Sequence, residues 1–197
     1  MNAITSYFVS PMADENTEIA RGLRLRDPHL LDHLIEKYQH RLLRYLLSLT
    51  RSRDLAEDFF QETWIRVLER GRQYDSRHEF STWLFTIARN LTIDHLRRKH
   101  PASLESLTSG EDSAPFDLPA QGPSAFDTTM QREQNEQISA GLARIAIEYR
   151  EALVLRFQEG MSLEEIARVT GAPLSTVKSR LYRGLTAMEP WVKGVRL

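Results

Sequence analysis

Apolar residues recur every three or four positions from Leu30 to Leu49, which predicts a helix of about six turns. Asp27 followed by Pro28 is a typical helix start, because the carboxylate can cap free backbone N–H groups and proline suits the first helical position. A shorter helix is predicted over residues 17–25. Residues 1–13 show little periodicity and are expected to form a loose lead-in.

Two further helices are predicted in the first half of the chain. The first covers residues 53–70, with an apolar stripe of Leu55, Phe59, Trp64, Val67 and Leu68, and Phe60 alongside. Ser76 and Glu79 match a capping box that predicts the start of the second, which Pro101 closes. Its core-facing residues are Phe80, Trp83, Leu84, Ile87, Leu91 and His95, and a separate face holds Thr86, Asn90, Ile93 and Arg97.

Two charged clusters lie on these helices. The first turns of the 53–70 helix carry Asp54, Glu57, Asp58, Gln61 and Glu62. Acids there suit the helix dipole, but they could also form a protein-docking surface. A metal site is a weaker hypothesis, because no histidine and no second ligand-bearing helix accompanies them. The later helix ends in Arg97, Arg98 and Lys99, which suit the dipole and could also contact phosphates.

A helix-turn-helix pattern occupies residues 161–188. Ser162 and Glu165 form a capping box, Gly171 can adopt the left-handed conformation that ends a helix, and Pro173 blocks its continuation. Ser175 or Thr176 is expected to cap the second helix. That helix has an apolar stripe of Val177, Leu181, Leu185 and Met188, and a basic, hydroxyl-rich remainder. The pattern favours a DNA-reading helix, and an ordinary helical hairpin is the alternative.

The segment between the two halves differs in composition. Residues 101–130 contain four Pro, two Gly and five Ser, with five acids and neither Lys nor Arg. Such a composition cannot bury enough apolar surface to fold alone, so a flexible acidic linker is predicted. Helices are expected to resume from Gln131 and again over 148–159, where Ala152, Leu153, Leu155 and Phe157 are the predicted core.

Composition limits the class of protein. The chain has 197 residues, enough for one or two small domains, and no cysteine, which excludes disulfides and cysteine metal sites. No apolar run is long enough to span a membrane and no signal peptide is evident, so a cytoplasmic protein without membrane insertion is expected. The net charge of −1 conceals an acidic middle between mildly basic ends, so it is no argument against nucleic-acid binding.

Three motifs, in order, resemble one family. DLAEDFFQETWIRV, FSTWLFTIARNLTIDHLRRKH and SLEEIARVTGAPLSTVKSRLYRG resemble an extracytoplasmic-function (ECF, group 4) sigma factor of bacterial RNA polymerase. The resemblance covers about residues 20–100 and 131–189. It implies an all-α protein of two small helical domains joined by the linker. The expected divisions are a lead-in at 1–15, a region 2 domain at 16–100, the linker at 101–130 and a region 4 domain at 131–197.

The resemblance also implies partners and contact residues. Docking on the β′ clamp helices of core RNA polymerase is assigned to Asp54, Glu57, Asp58, Gln61 and Glu62, and the β flap is a further polymerase contact. Recognition of the minus-10 element, with one base flipped into a pocket, is assigned to Tyr74, Asp75, Ser76, Thr86, Asn90, Arg97, Arg98 and Lys99. Recognition of the minus-35 element in the major groove is assigned to Ser175, Thr176, Lys178, Ser179, Arg180, Tyr182 and Arg183.

In this family the linker threads polymerase channels, and the subunit has neither a catalytic site nor a cofactor. An anti-sigma factor is a candidate partner because members of the family often bind one, although no residue here identifies it. Two other functions remain as alternatives. A dimeric repressor or activator would bind palindromic DNA without polymerase, but no dimerisation helix is visible. A metal-dependent nuclease would depend on the acidic helix alone.

Overall fold

The structure, a computed structural model, describes residues 11–99 and 137–192, with side chains from residue 15 onward. The described helices are α1 (Pro11–Leu25), α2 (Pro28–Thr50), α3 (Arg53–Arg70), α4 (Phe80–Lys99), α5 (residues 137–144), α6 (Ile147–Leu153), α7 (Leu163–Thr170) and α8 (Leu174–Val192). A short 3₁₀ turn, Gly71–Gln73, follows α3, and a π-helical turn, Val154–Gln158, follows α6. These ranges contain no strand, so the prediction of an all-α fold is confirmed.

The local start signals of α2 and α7 act as predicted. The Asp27 carboxylate accepts hydrogen bonds from the backbone N–H groups of His29 and Leu30, at 3.0 and 3.5 Å. Ser162 and Glu165 form both bonds of the capping box that begins α7. These side chains satisfy N–H groups that have no partner within the helix, which determines where each helix begins.

α1, α4 and α8 begin elsewhere than predicted. α1 already starts at Pro11, because proline suits a first helical position, so residues 11–15 are not a loose lead-in. α4 starts at Phe80, and Ser76, the predicted cap, has a left-handed φ of 60° and does not cap it. α8 starts at Leu174, so Ser175 and Thr176 lie inside its first turn and neither caps it.

The first helical unit comprises α1 to α4 around one apolar interior. Tyr45 and Phe85 are fully buried, with ring centroids 5.0 Å apart. The buried residues around them come from all four helices: Ile19, Ala20, Leu23, Leu34, Tyr38, Leu42, Leu46, Leu49, Ala56, Trp64, Val67, Phe80, Leu84, Ile87 and Ala88. Leu68, predicted to be core, is instead 42% exposed.

The second unit packs α6 beneath the helix-turn-helix formed by α7 and α8. Gly171 ends α7 with a φ of 64°, as predicted. Two predicted core positions are wrong, since Leu185 is 50% exposed and Phe157 is 64% exposed. Gly184 takes the place of Leu185 on the buried stripe, because a Cβ there would lie 3.0 Å from Leu153 Cγ.

Phe157 faces outward because of the π-helical turn. The backbone N–H of Glu159 donates to the carbonyl of Val154, five residues earlier, at 3.1 Å. Phe157 lies within this wider turn, whose side chains depart from the ordinary helical period.

The two units are in contact. α7 packs against α4, and α6 packs against α2. Predicted linker residues 101–130 lie outside the described residues, as do 131–136, where the next helix was expected to begin. In the ranges that the structure describes, no helix combines the length and apolar character needed to cross a bilayer.

Candidate polymerase and promoter interfaces

One face of α3 is exposed and acidic. Asp54, Glu57, Asp58 and Gln61 are exposed, and Glu62 is half-buried with an ion pair of 2.8 Å to Arg66. Among the described residues, no group of three or more His, Cys, Asp and Glu side chains is placed to hold a metal ion. The metal hypothesis for these acids therefore has no support, and a docking surface remains.

The same face of α3 carries two apolar side chains that sequence reasoning did not assign to it. Ile65 is 48% exposed and Leu68 is 42% exposed. At 100° per residue they align with Asp58 and Gln61. Acids around solvent-exposed aliphatic side chains are typical of a protein-binding surface, because aliphatic area lost from water stabilises a complex while charges select the partner.

The loop before α4 holds its aromatic residue inside the protein. Tyr74 is 2% exposed, and its ring centroid lies 5.6 Å from that of Phe80 and 5.3 Å from that of Trp83. Burial raises the pKa of Tyr74, and nearby Glu79 raises it further. The assignment of Tyr74 to minus-10 recognition disagrees with this placement, because the ring is enclosed by other side chains. Asp75 is exposed and Ser76 is half-buried, so the loop backbone and its other side chains form the outer surface.

The predicted minus-10 face of α4 is partly open. Asn90 is exposed, with its amide in solvent, and Thr86 is half-buried with its hydroxyl donating to the carbonyl of Thr82 at 2.7 Å. Ile93, on the same face, is 4% exposed. The Asn90 amide provides both a donor and an acceptor for a base edge.

The last turn of α4 is exposed and positive. Arg97, Arg98 and Lys99 are all exposed, and Arg98 Nε donates to the carbonyl of Asp94 at 3.2 Å. The Arg98 side chain therefore helps to close its own helix. The cluster can serve both the helix dipole and a phosphate backbone.

α8 divides into a buried stripe and an exposed basic face. The buried side is Val177, Leu181, Gly184 and Met188. The predicted minus-35 contacts Ser175, Lys178, Ser179, Tyr182 and Arg183 are exposed, and Thr176 and Arg180 are half-buried. Tyr182 is 74% exposed. One helix thus presents hydroxyl, aromatic and cationic groups together, as a helix in a DNA groove requires.

The contact between the two units contains buried ionic groups. Glu151 on α6 is 1% exposed and accepts from Tyr45 and from Arg89, both at 2.9 Å. Glu159 is 7% exposed and accepts from Arg41 at 2.7 Å and Arg44 at 3.3 Å. Each buried carboxylate is compensated by donors of the first unit, so hydrogen bonds and ion pairs join the two units. Sequence reasoning missed these contacts, because the partners are more than 60 residues apart.

Models of two known regions match the chain in order. Sigma-70 region 2 matches residues 34–101, and sigma-70 region 4 matches residues 135–188. The ECF RNA polymerase sigma factor SigW of Bacillus subtilis is 30% identical over 159 residues, which span 79% of this chain and 85% of SigW. The ECF RNA polymerase sigma factor SigE of Mycolicibacterium smegmatis is 33% identical over 161 residues, spanning 82% of this chain and 61% of SigE.

Solved structures share the fold. The sigma factor RpoE, solved with the anti-sigma factor NepR from Bartonella quintana, has a TM-score of 0.66 at 23% identity, covering 84% of this chain and 98% of RpoE. CnrH, solved with the cytosolic domain of CnrY, has a TM-score of 0.63 at 18% identity, covering 94% of this chain and 99% of CnrH. These two structures share the fold of the chain. The two matched regions and the identity to SigW show that the chain belongs to the extracytoplasmic-function sigma factors of RNA polymerase.

Proposed function

We propose that this sigma factor docks on core RNA polymerase through α3, reads and opens the minus-10 element through α4 and the loop before it, and reads the minus-35 element through α8. The observation that carries this assignment is the distribution of exposure. Apart from Tyr74, the predicted contact residues are exposed or half-buried, while other residues of the same three helices are buried in the core.

Docking through α3 fits its mixed surface. Asp54, Glu57, Asp58 and Gln61 supply charge and polarity, and Ile65 and Leu68 supply aliphatic area. The acids suit a basic partner helix of the β′ clamp, since opposite potentials speed encounter and exclude wrong partners. The β flap is the expected partner of the second unit.

Opening of the minus-10 element requires compensation for an unstacked base. Extruding one base costs a few kcal/mol. Asn90 can hydrogen-bond a base edge, and Arg97, Arg98 and Lys99 can hold the backbone of the same strand. The loop over residues 74–79 forms the other wall of that site.

Recognition of the minus-35 element fits the exposed face of α8. Ser175, Ser179 and Arg183 can reach base edges or phosphates from one helix in the major groove. A bidentate side-chain contact discriminates bases by about 1–3 kcal/mol, whereas a phosphate contact contributes equally on every sequence.

The two units must separate to read both elements. The minus-35 and minus-10 positions differ by roughly 25 base pairs, or about 85 Å of DNA at about 3.4 Å per base pair. Contacts such as Glu151 to Arg89, at 2.9 Å, hold the units together. Residues 101–130, fully extended, could span about 100 Å, which suffices. The structure thus corresponds to a closed form, and polymerase binding would favour an open one.

As a group 4 sigma factor the chain acts in the cytoplasm as a specificity subunit, with no catalytic site of its own. An anti-sigma factor is a further expected partner.

Three variants test the separate roles of α3 and α4, and two of them are charge reversals that serve as test and control. Asp58→Lys should weaken binding to core polymerase, because it reverses a charge on the docking face, while Glu18→Lys makes the same change on an exposed site of α1 and should not. Asn90→Ala should leave the polymerase affinity intact and impair promoter opening. Equal loss of docking and opening in Asn90→Ala would contradict the assignment.

A further inference from the structure

Asn16, in α1, makes hydrogen bonds with both ends of its amide. The side chain is 7% exposed. Its Nδ2 donates to Oε1 of Glu79 at 3.1 Å. Its Oδ1 accepts from the hydroxyl of Tyr74 at 3.1 Å and from the backbone N–H of Phe80 at 3.4 Å. All three partners belong to the loop before α4 or to the first residue of that helix.

This network replaces the capping box predicted within the loop. The first N–H groups of a helix have no partner inside the helix, and a side chain of the preceding residues usually accepts one of them. Ser76 does not do so here, since its left-handed φ of 60° lies outside the helix. Asn16 accepts from the backbone N–H of Phe80 instead, although it lies in α1, 64 residues earlier in the chain. The start of α4 is therefore held by α1.

The same residue holds the other end of the loop. The Tyr74 hydroxyl lies 2.8 Å from the carbonyl of His78 and 3.1 Å from Oδ1 of Asn16, and shares its one proton between them. With Tyr74 and Phe80 both held from inside, Asp75 and Arg77 remain on the outside. Close packing of α1 supports the arrangement, because a Cβ on Gly71 would lie 3.1 Å from Leu23 Cβ.

We propose that Asn16 is a positioning residue for minus-10 recognition, which holds the loop over residues 74–79 in the shape that captures a promoter base. The inference rests on the proposed role of this loop in reading the minus-10 element. A loop already held in its binding shape loses less conformational freedom when DNA binds, so the network increases both affinity and base discrimination. Asn16 lies before residues 34–101, the range that the region 2 model matches.

The test is promoter selection by the reconstituted holoenzyme. Full-length protein and core polymerase select from a DNA library randomised over both elements, and the selected sequences are read. Asn16→Ala should reduce minus-10 base preference by about 5- to 10-fold, as expected for loss of one or two buried hydrogen bonds. Minus-35 preference and core affinity should not change. Ser48→Ala controls for lost stability, because it removes a buried hydrogen bond from the Ser48 hydroxyl to the backbone carbonyl of Tyr45 elsewhere in the first unit. It should retain both preferences.

A polarity swap tests the network without a cavity. Asn16→Asp should be defective because its carboxylate faces that of Glu79, and adding Glu79→Gln should restore selectivity by supplying an amide donor. Tyr74→Phe and Asn16→Ala should be non-additive, since both break the same network.

Unchanged minus-10 preference in Asn16→Ala would overturn the inference while leaving the proposed function standing. Loss of core affinity in parallel with minus-10 preference, or failure of Glu79→Gln to rescue, would overturn it as well. A wild-type holoenzyme without minus-10 preference would overturn both.

Discussion

The hydroxyl of Tyr45 on α2 donates a 2.9 Å hydrogen bond to Glu151 on α6, joining the two helical units through two fully buried side chains. Arg89 Nε donates to the same carboxylate oxygen at 2.9 Å. Burial raises the pKa of Tyr45, and the negative charge of Glu151 raises it further, which keeps the phenol protonated as a donor. One carboxylate of the second unit therefore links two helices of the first.

Removal of this carboxylate should open the protein. Glu151→Ala leaves Arg89 and Tyr45 without their acceptor, which should cost about 3 kcal/mol of contact between the units. The chain has no cysteine, so dyes can be placed at Glu36→Cys and Ala187→Cys without background labelling. Energy transfer between them should fall in Glu151→Ala.

Glu164→Ala is the matched control, because that carboxylate is exposed on α7. It should leave the energy transfer unchanged. Equal transfer in Glu151→Ala and the parent would show that the buried hydrogen bonds do not hold the units together.

Acid should weaken the start of α7. Partial burial alone raises the pKa of Glu165, but hydrogen bonds from the N–H and hydroxyl of Ser162 lower it on balance. A carboxyl with a lowered folded pKa stabilises the fold above its ordinary value of 4.5 and loses that contribution as the pH falls through the folded value. Thermal unfolding at a series of pH values from 7 to about 3 should show this loss.

Glu165→Gln should reduce this pH dependence while keeping the capping box, because glutamine accepts in the same position. Ser162→Ala should lose about 1 kcal/mol of stability at neutral pH, because it removes the cap itself. A pH dependence that persists in full in Glu165→Gln would show that another group causes it.

The buried stripe of α8 can be tested with two leucines four residues apart. Leu181 is 8% exposed and Leu185 is 50% exposed. Leu181→Ala should cost about 2–4 kcal/mol in the free energy of unfolding, since it leaves a cavity. Leu185→Ala should cost less than about 1 kcal/mol, the range usual at open sites. Denaturant unfolding measures both, and equal costs would contradict the placement of Gly184 on the stripe.

Local signals in the sequence predicted the fold where one segment contains the whole cause. Asp27 caps α2 and Gly171 ends α7 as expected, because each acts on backbone within a few residues of itself. The apolar period likewise identified α2 and most of the core of the first unit.

The predictions failed where a distant segment decides the outcome. α4 begins at Phe80 because Asn16 supplies the acceptor, and the Ser76 motif contains no trace of this. Tyr74 was assigned to minus-10 recognition, but α1 and the aromatic side chains of α4 enclose it. Periodicity also misplaced Phe157, because this residue lies in a π-helical turn that departs from the ordinary helical period.

The central claim is that the chain gives core RNA polymerase its choice of start site, and run-off transcription from a promoter library tests it most directly. Core polymerase should produce transcripts with defined starts only when the full-length protein is added, and selected templates should share a minus-10 and a minus-35 element. No binding to core polymerase, or starts that do not change when the protein is added, would contradict the claim.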